Sequence, residues 1–300
     1  MTISHFFIIV NPAANRGGAA RAWRQAQTVL NRAGADYEPV FTDRPGHAEV
    51  LAANAAAAGW PAVVAVGGDG TINEVVNGLV RAADGEPTTP LGIISLGSGN
   101  DSVRLLDLPR QRPVAAARRL LAARARTIDV GRVGERYFLN GVGTGFDARV
   151  AIEAQQVQRL RGMAIYLWAL LKALRAHRAP LIRVVLDGQE VAARRLTLVA
   201  VTNGACYGGG FWICPDARVD DGLLDICIAD ELSVPGILGF VPRVMRGAHV
   251  GRPAVHMYRA RQIHLSSPEP LPVHVDGEIL TGGAQELTFE LLPHRLTVLA

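Results

Sequence analysis

The run Gly67-Gly68-Asp69-Gly70-Thr71-Ile72-Asn73-Glu74 constrains this chain more than any other stretch. It follows an apolar run, Pro61 to Val66, that reads as a buried strand, and it leads into a helical pattern, Ile72 to Val80. A strand, a glycine-rich turn and a helix start in that order form a phosphate cradle. Glycine lacks the Cβ that would hold backbone N–H groups away from an anion. The helix N-terminus adds unpaired N–H groups and a partial positive charge. Asp69 would repel phosphate, so it fits only if a divalent cation bridges the two or if its carboxylate orients donors. The turn therefore suggests a nucleotide bound with metal. Glycine used merely to make a bend accounts poorly for five turn-specific residues in a row, with Asn73 and Glu74 behind them. The P-loop pattern is absent, and Lys172, the only lysine of the chain, lies in no such motif. Backbone amides, arginine and metal are left to handle any phosphoryl group.

Around this turn, apolar strand runs alternate with helical patterns. His5–Val10, Tyr37–Phe41, Pro61–Val66 and Pro90–Ser95 read as strands; Gly18–Ala33, His47–Ala58, Ile72–Val80 and Pro113–Ala123 read as helices. Such alternation predicts a mostly parallel sheet covered by helices. Ligands of these sheets sit beyond the carboxyl ends of the strands. Those ends carry Asn11 to Gly18, Thr42, the Gly67 turn, and Leu96-Gly97-Ser98-Gly99-Asn100-Asp101, all expected on one edge.

After about residue 126 short strand-like runs dominate, from Thr127–Val133 to Arg295–Leu299, with turn signals such as Asp187-Gly188 and Asp276-Gly277. The pattern predicts an antiparallel, sandwich-like second domain. The boundary falls near residues 124–132, giving domains 1–127 and 128–300, with the last strand free to return to the first. One helical segment, Val150 to His177, interrupts the strands. Its centre, Met163 to Leu171, is apolar nearly all round, and Arg159, Arg161, Lys172, Arg175 and Arg178 flank it. That is the pattern of an interfacial helix with a basic collar, or of a helix packed on the second sheet.

Composition bounds the rest. The 300 residues carry a net charge of +4, spread along both halves, which is not the clustered footprint of a nucleic-acid binder. Three cysteines, Cys206, Cys214 and Cys227, match no zinc spacing and read as small buried hydrophobes. The N-terminus enters a strand directly, and no apolar run reaches the ~18 residues of a bilayer span. The expectation is a soluble, cytoplasmic chain.

Taken together, these residues resemble the diacylglycerol kinase catalytic-domain family, in its soluble bacterial lipid-kinase branch, over nearly the whole length. Val10-Asn11-Pro12 with Gly17-Gly18 resembles the first loop, Gly67 to Thr71 the signature, and Leu96 to Asp101 the second loop. Asn140-Gly141-Val142-Gly143-Thr144-Gly145-Phe146-Asp147, Pro215 to Asp225 and Asp276-Gly277-Glu278 resemble the motifs of the second domain. The signature turn is shared with NAD kinases and phosphofructokinases; the late motifs discriminate. The resemblance implies a Rossmann-like α/β domain followed by a β-sandwich, and phosphoryl transfer from ATP to a lipid hydroxyl in a cleft between them. It implies phosphate contacts from Asn11, Asn15 and Arg16, and hydroxyl contacts from Thr42 and Ser98. Gly67, Gly68, Asp69, Gly70, Thr71 and Asn73 would wrap the phosphates, beside Asn100 and Asp101. Asp69 would help hold the catalytic Mg²⁺, Glu278 would be the general base, and Asp276 would orient the base or the metal. Asp220, Asp221 and Asp225 read as hard ligands at short spacing. The family's structural Mg²⁺ would take Asp221 and the carbonyls of Arg218 and Leu223.

The resemblance also implies a place at the inner face of the membrane and a role in phospholipid biosynthesis. A homodimer through an unpaired edge strand stays open. Four positions depart from the pattern: Ser98 stands for threonine, Ser102-Val103 for Phe-Ala, and Arg16 for the lysine of several relatives. The alternatives are a small-molecule kinase of the NAD-kinase type and a non-catalytic nucleotide or lipid sensor.

Overall fold

The computed structural model describes residues 5–97, 99–157, 163–175, 177–280 and 282–300. The chain divides into two compact units. The first comprises Met1–Val130, Val219–Asp221 and Leu292–Ala300, and the second Gly131–Arg218 and Gly222–Leu291.

The first unit runs β1 (His5–Val10), a 3₁₀ turn (Ala14–Gly17), α1 (Ala19–Arg32), β2 (Asp36–Phe41), α2 (His47–Ala57), β3 (Val63–Gly67) and α3 (Asp69–Ala82). It continues with β4 (Leu91–Ser95), α4 (Asp101–Leu105), α5 (Pro113–Ala122) and the start of β5 (Ala125–Val133). β2, β1, β3 and β4 lie side by side and all parallel, with Val10 opposite both Phe41 and Val66, and Gly67 opposite Ser95. The strands are apolar without alternation because helices cover both faces of the sheet. On one face Phe6, Ile8, Val64 and Ile94 pack against Trp23 and Leu30 of α1 and Leu120 of α5. The buried residues of α1, Ala19, Trp23, Ala26 and Leu30, recur every three or four positions and so form one stripe. Burying a side chain of this size stabilises by about 1.5–3 kcal/mol. α2 and α3 pack together and also contact β1, β3 and β4. At the chain's end Val298 pairs in parallel with Leu91.

The second unit holds β6 (Arg136–Phe138), β7 (Gly141–Gly145), α6 (Phe146–Gln155), α7 (Met163–Arg175), β8 (Leu181–Leu186) and β9 (Gln189–Thr202). After these come β10 (Leu224–Asp230), α8 (Val234–Val244), β11 (Val255–Ala260), β12 (Gln262–Leu271), β13 (Val273–Val275), β14 (Glu278–Ile279) and β15 (Ala284–Leu299). It is the expected antiparallel sandwich, and the long strand β9 belongs to both of its sheets. The first half of β9 pairs with β8, which leads to β12 and the first half of β15. Its second half lies between β7 and β10, which lead to β13–β14 and to β11. Val199, Val201, Ile226 and Ile228 point into the main core with Ile263, Leu265 and Phe289. The alternate residues Leu198, Ala200, Cys227 and Ala229 meet Tyr207, Ile213 and Cys214 in a second core. Both faces of this sheet are therefore buried, which is why its strands read as unbroken apolar runs.

Several expectations need correction. The helical segment Val150 to His177 is two helices, α6 and α7, and residues 158–162 with Arg159 and Arg161 lie outside the described residues. α7 packs on other helices: Leu170, Ala173 and Leu174 meet Phe146 of α6 and Ile237 of α8. The strand read over Leu271–Val275 is broken at Pro272, which cannot donate to a ladder. The turn at Gly67 shrinks to one residue, since β3 ends at Gly67 and α3 begins at Asp69 rather than Ile72. α8 was missed because Pro235, Gly236, Gly239 and Pro242 are helix breakers. Pro235 occupies its first turn, where a missing N–H is harmless, and the Ser233 hydroxyl accepts from Gly236 N–H at the cap. The three cysteines are buried, as expected, and form no disulfide among the described residues.

Candidate functional site

Four parallel strands that end in register deliver four loops to one edge of the first unit. Asn11, Thr42, Gly68 and Leu96 follow β1, β2, β3 and β4 directly. Main-chain hydrogen bonds tie these exits together: Asn11 N–H donates to Val66 O, Thr42 N–H to Val10 O, and Leu96 N–H to Gly67 O at 2.7 Å. The Asn11 side chain donates to Thr71 Oγ1 at 2.8 Å and accepts from Ala13 N–H, which joins the first loop to the start of α3. Asn15 sits in the 3₁₀ turn with φ +52°. Arg16 is in the same turn, but its side chain lies outside the described residues, as does all of Ser98.

Asp69 occupies the first turn of α3. Its Oδ2 accepts from Asn100 N–H at 2.8 Å and its Oδ1 from Ser102 N–H at 3.1 Å. The carboxylate thus ties the start of α3 to the start of α4, which is the donor-orienting role left open by the sequence. The backbones approach closely here. A Cβ on Gly97 would stand 2.9 Å from Gly68 Cα, so only glycine fits. Asn100 takes the left-handed conformation (φ +57°); its Oδ1 accepts from Ser95 Oγ and its Nδ2 donates to Gly97 O. Asp101 pairs with Arg104 at 3.3 Å. Asn73 accepts through its carbonyl from Asn77. Glu74, given no role by the sequence, reaches across to α2 and accepts from Gly46 and Ala48 N–H, so it caps that helix.

In the second unit Asp276 and Gly277 form the two-residue turn between β13 and β14, both with positive φ (+47° and +86°). Asp276 is more than a turn residue. Its Oδ2 accepts from Leu139 N–H and its Oδ1 from Asn140 and Gly141 N–H, at 2.8 to 3.0 Å. It thereby fixes the backbone leading into the glycine-rich strand β7. Glu278 begins β14, is 42% exposed, and lies 3.4 Å from Arg136.

Beneath β7 lies a polar group the sequence did not single out. Asp147, in the first turn of α6, accepts from Tyr207 Oη at 2.5 Å and from His274 Nε2 at 3.3 Å. Tyr207 and His274 are buried, and burial followed by the Asp147 charge pushes the Tyr207 hydroxyl well above its ordinary value. A Cβ on Gly143, the residue paired with His274, would fall 1.9 Å from the Asp147 carboxylate. The signal was Val273-His274-Val275: its two valines face the core, and the histidine between them needs a partner on the opposite face.

The acidic trio near residue 220 does not assemble. Asp225 is on β10, where its Oδ1 accepts from Arg259 Nε at 3.0 Å. No group of three potential metal-ligating side chains forms among the described residues. Arg218, Asp221 and Leu223 fall on the segment that precedes β10, where Gly222 has φ +74°.

Comparison with known proteins places this geometry. A family profile described as the diacylglycerol kinase catalytic domain matches residues 5–133, and one described as the YegS C-terminal NAD kinase beta sandwich-like domain matches residues 140–300. A diacylglycerol kinase of Mycobacterium tuberculosis is 35% identical over 90% of this chain and 87% of its own length. The chain belongs to the diacylglycerol kinase family. A Pseudomonas aeruginosa protein named "Probable lipid kinase YegS-like" is 34% identical over 92% of this chain and 88% of its own. The crystal structure of a Bacillus anthracis protein assigned to the diacylglycerol kinases superposes with a TM-score of 0.80 at 25% identity, covering 100% of this chain and 96% of that one. The fold is that of the diacylglycerol kinases, an α/β domain plus a β-sandwich, and the chain is an enzyme of the lipid-kinase class. The profile of the catalytic domain spans the edge around Asp69, and that of the sandwich spans Asp147, Asp276 and Glu278.

The donor sets suit Mg²⁺ unequally. On the α3 edge, Asp69 and Asp101 offer hard carboxylate oxygens. Mg²⁺ needs only one or two of these when phosphates and waters supply the rest. The turn before β10 offers Asp220 and Asp221 with main-chain carbonyls, while Asp225 is held by Arg259.

Proposed function

We propose that this chain transfers the γ-phosphate of ATP, as its Mg²⁺ complex, to the primary hydroxyl of a lipid such as diacylglycerol. One observation carries the assignment of roles. Asp276 engages both carboxylate oxygens with main-chain N–H groups, whereas Glu278, two residues on, is half-exposed at the head of β14. Glu278 is then the group that accepts the alcohol proton, and Asp276 sets the hairpin that presents it. A carboxylate so placed contributes about 10²–10⁴-fold as general base.

In this reading the phosphates rest on the edge built by Asn11, Asn15, Arg16, Gly67, Gly68, Gly70, Thr71 and Asn73, with Thr42, Ser98, Asn100 and Asp101 around the nucleotide. The N-terminus of α3 faces negative charge there. Asp69 holds the Asn100 and Ser102 amides in place and is, with Asp101, the carboxylate that would hold the cation. When bound, Mg²⁺ neutralises charge on the transferring phosphoryl oxygens. A second Mg²⁺ at Arg218, Asp221 and Leu223 would stiffen the turn before β10. The relatives named diacylglycerol kinase support the acceptor class, and an acceptor with an apolar tail brings the enzyme to a membrane surface.

The test is incubation with γ-labelled ATP and either a total lipid extract or NAD. Label in a phosphorylated lipid is expected. Label in NADP would replace this reading with the small-molecule kinase, and nucleotide binding without labelled product would replace it with a sensor.

A further inference from the structure

Asp147, Tyr207 and His274 form a polar group that neither the phosphate edge nor Asp276 uses. They come from three parts of the second unit: the first turn of α6, the segment after β9 and the middle of β13. Tyr207 and His274 are buried, where apolar side chains would cost less. β7 makes room for the group. Gly141, Gly143 and Gly145 take alternate positions along it, so the strand sends no side chain toward Asp147. A Cβ on Gly143 would strike Asp147 and stand 2.4 Å from His274 Nε2. Asp147 gathers both partners on one oxygen: Oδ2 accepts from Tyr207 Oη at 2.5 Å and lies 3.3 Å from His274 Nε2. The Tyr207 ring stands edge-on to His274, with centroids 5.0 Å apart. With Nε2 turned to the carboxylate, His274 Nδ1 is buried without a hydrogen-bond partner among the described residues. A buried polar atom left so is a cost to stability, which calls for another reason to keep the histidine.

The reason lies in the hairpin. His274 pairs with Gly143 of β7 on one side and with Ile279 of β14 on the other, and its neighbour Val275 pairs with Glu278. α6, which carries Asp147, packs against both β13 and β14. We infer that His274, held by Asp147 and Tyr207, is a positioning residue for Glu278. It pins the hairpin to α6, as Asp276 pins it to the backbone entering β7. Two anchors fix the hairpin where one would let it pivot. The inference rests on the general-base role proposed for Glu278. A base displaced by about 1 Å loses up to about 10²-fold in rate.

The test measures kcat and KM with Mg-ATP and diacylglycerol for His274→Asn, His274→Gln and Tyr207→Phe, each alone and combined with Glu278→Gln. The asparagine amide is too short to reach Asp147, whereas the glutamine Nε2 can stand where the ring nitrogen stood. His274→Asn should lower kcat about 10–100-fold with KM for ATP within about two-fold of the native value. His274→Gln should recover most of that loss, and Tyr207→Phe should lower kcat about 2–10-fold. With Glu278→Gln already present, none of the three should lower kcat further, because the group they disturb acts through Glu278. Should His274→Asn not fold, Tyr207→Phe carries the same comparison. Equal falls with and without Glu278 would overturn the inference, as would unchanged kcat in all three or a His274→Gln no better than His274→Asn. Failure of the general-base reading looks different: no turnover by the native chain, or turnover that Glu278→Gln leaves unchanged, removes that reading and the inference with it.

Discussion

Asp69 in the first unit and Asp276 in the second are both acids in glycine-rich turns, and both collect main-chain N–H groups. Asp69 gathers two donors, Asn100 and Ser102, and ties the starts of two helices. Asp276 gathers three consecutive donors, Leu139 to Gly141, from a left-handed turn position, and fixes the entry into β7. The difference separates two uses of a carboxylate. Asp276 is committed to the backbone, and under the proposed function the reactive role falls to its neighbour Glu278. Under the same proposal Asp69 supports the loop around the phosphates and would hold the cation.

The strongest test of this contrast is Asp276→Ala. It leaves three main-chain donors without their acceptor, so unfolding free energy should drop by about 3–5 kcal/mol, with activity lost alongside. A loss under ~1 kcal/mol, measured by urea unfolding, would break the comparison. Glu278→Gln should do the reverse: turnover down about 10²–10⁴-fold with stability within ~0.5 kcal/mol of the native chain. Asp69→Asn falls between them. The amide can accept on one side only, so one of its two donors loses its partner, for about 1–2 kcal/mol and a raised KM for ATP.

The smallest effect concerns His249, which belongs to neither acid's network. Burial lowers its proton affinity below the ordinary 6.5, against the opposing pull of the Ile213 carbonyl that its Nε2 bonds. The unfolded chain takes up a proton that the folded ring refuses, so stability is level above pH 6.5 and falls as the pH drops below it. Denaturant midpoints measured across that range should show the fall, and His249→Gln should flatten it.

Much of this was legible in the chain. The βα alternation, the shared sheet edge and the hairpin at Asp276-Gly277 follow from period, length and turn chemistry. What escaped depends on partners distant in sequence. Nothing local says that Glu74 caps α2, that Asp276 binds Leu139 to Gly141, or that Asp225 turns to Arg259 rather than to Asp221. α8 escaped because its prolines and glycines outweigh its apolar stripe until the cores it packs against are known. The split of the segment from Val150 to His177 into α6 and α7 likewise depends on the small core that Phe146, Leu170 and Ile237 build together.

The most direct test of the central claim follows the labelled γ-phosphate of ATP in the presence of Mg²⁺ and purified diacylglycerol, with the native chain and Glu278→Gln side by side. Labelled phosphatidic acid is expected from the native chain and almost none from the variant, at equal stability. Label in no lipid from the native chain, or equal label from both, would contradict it.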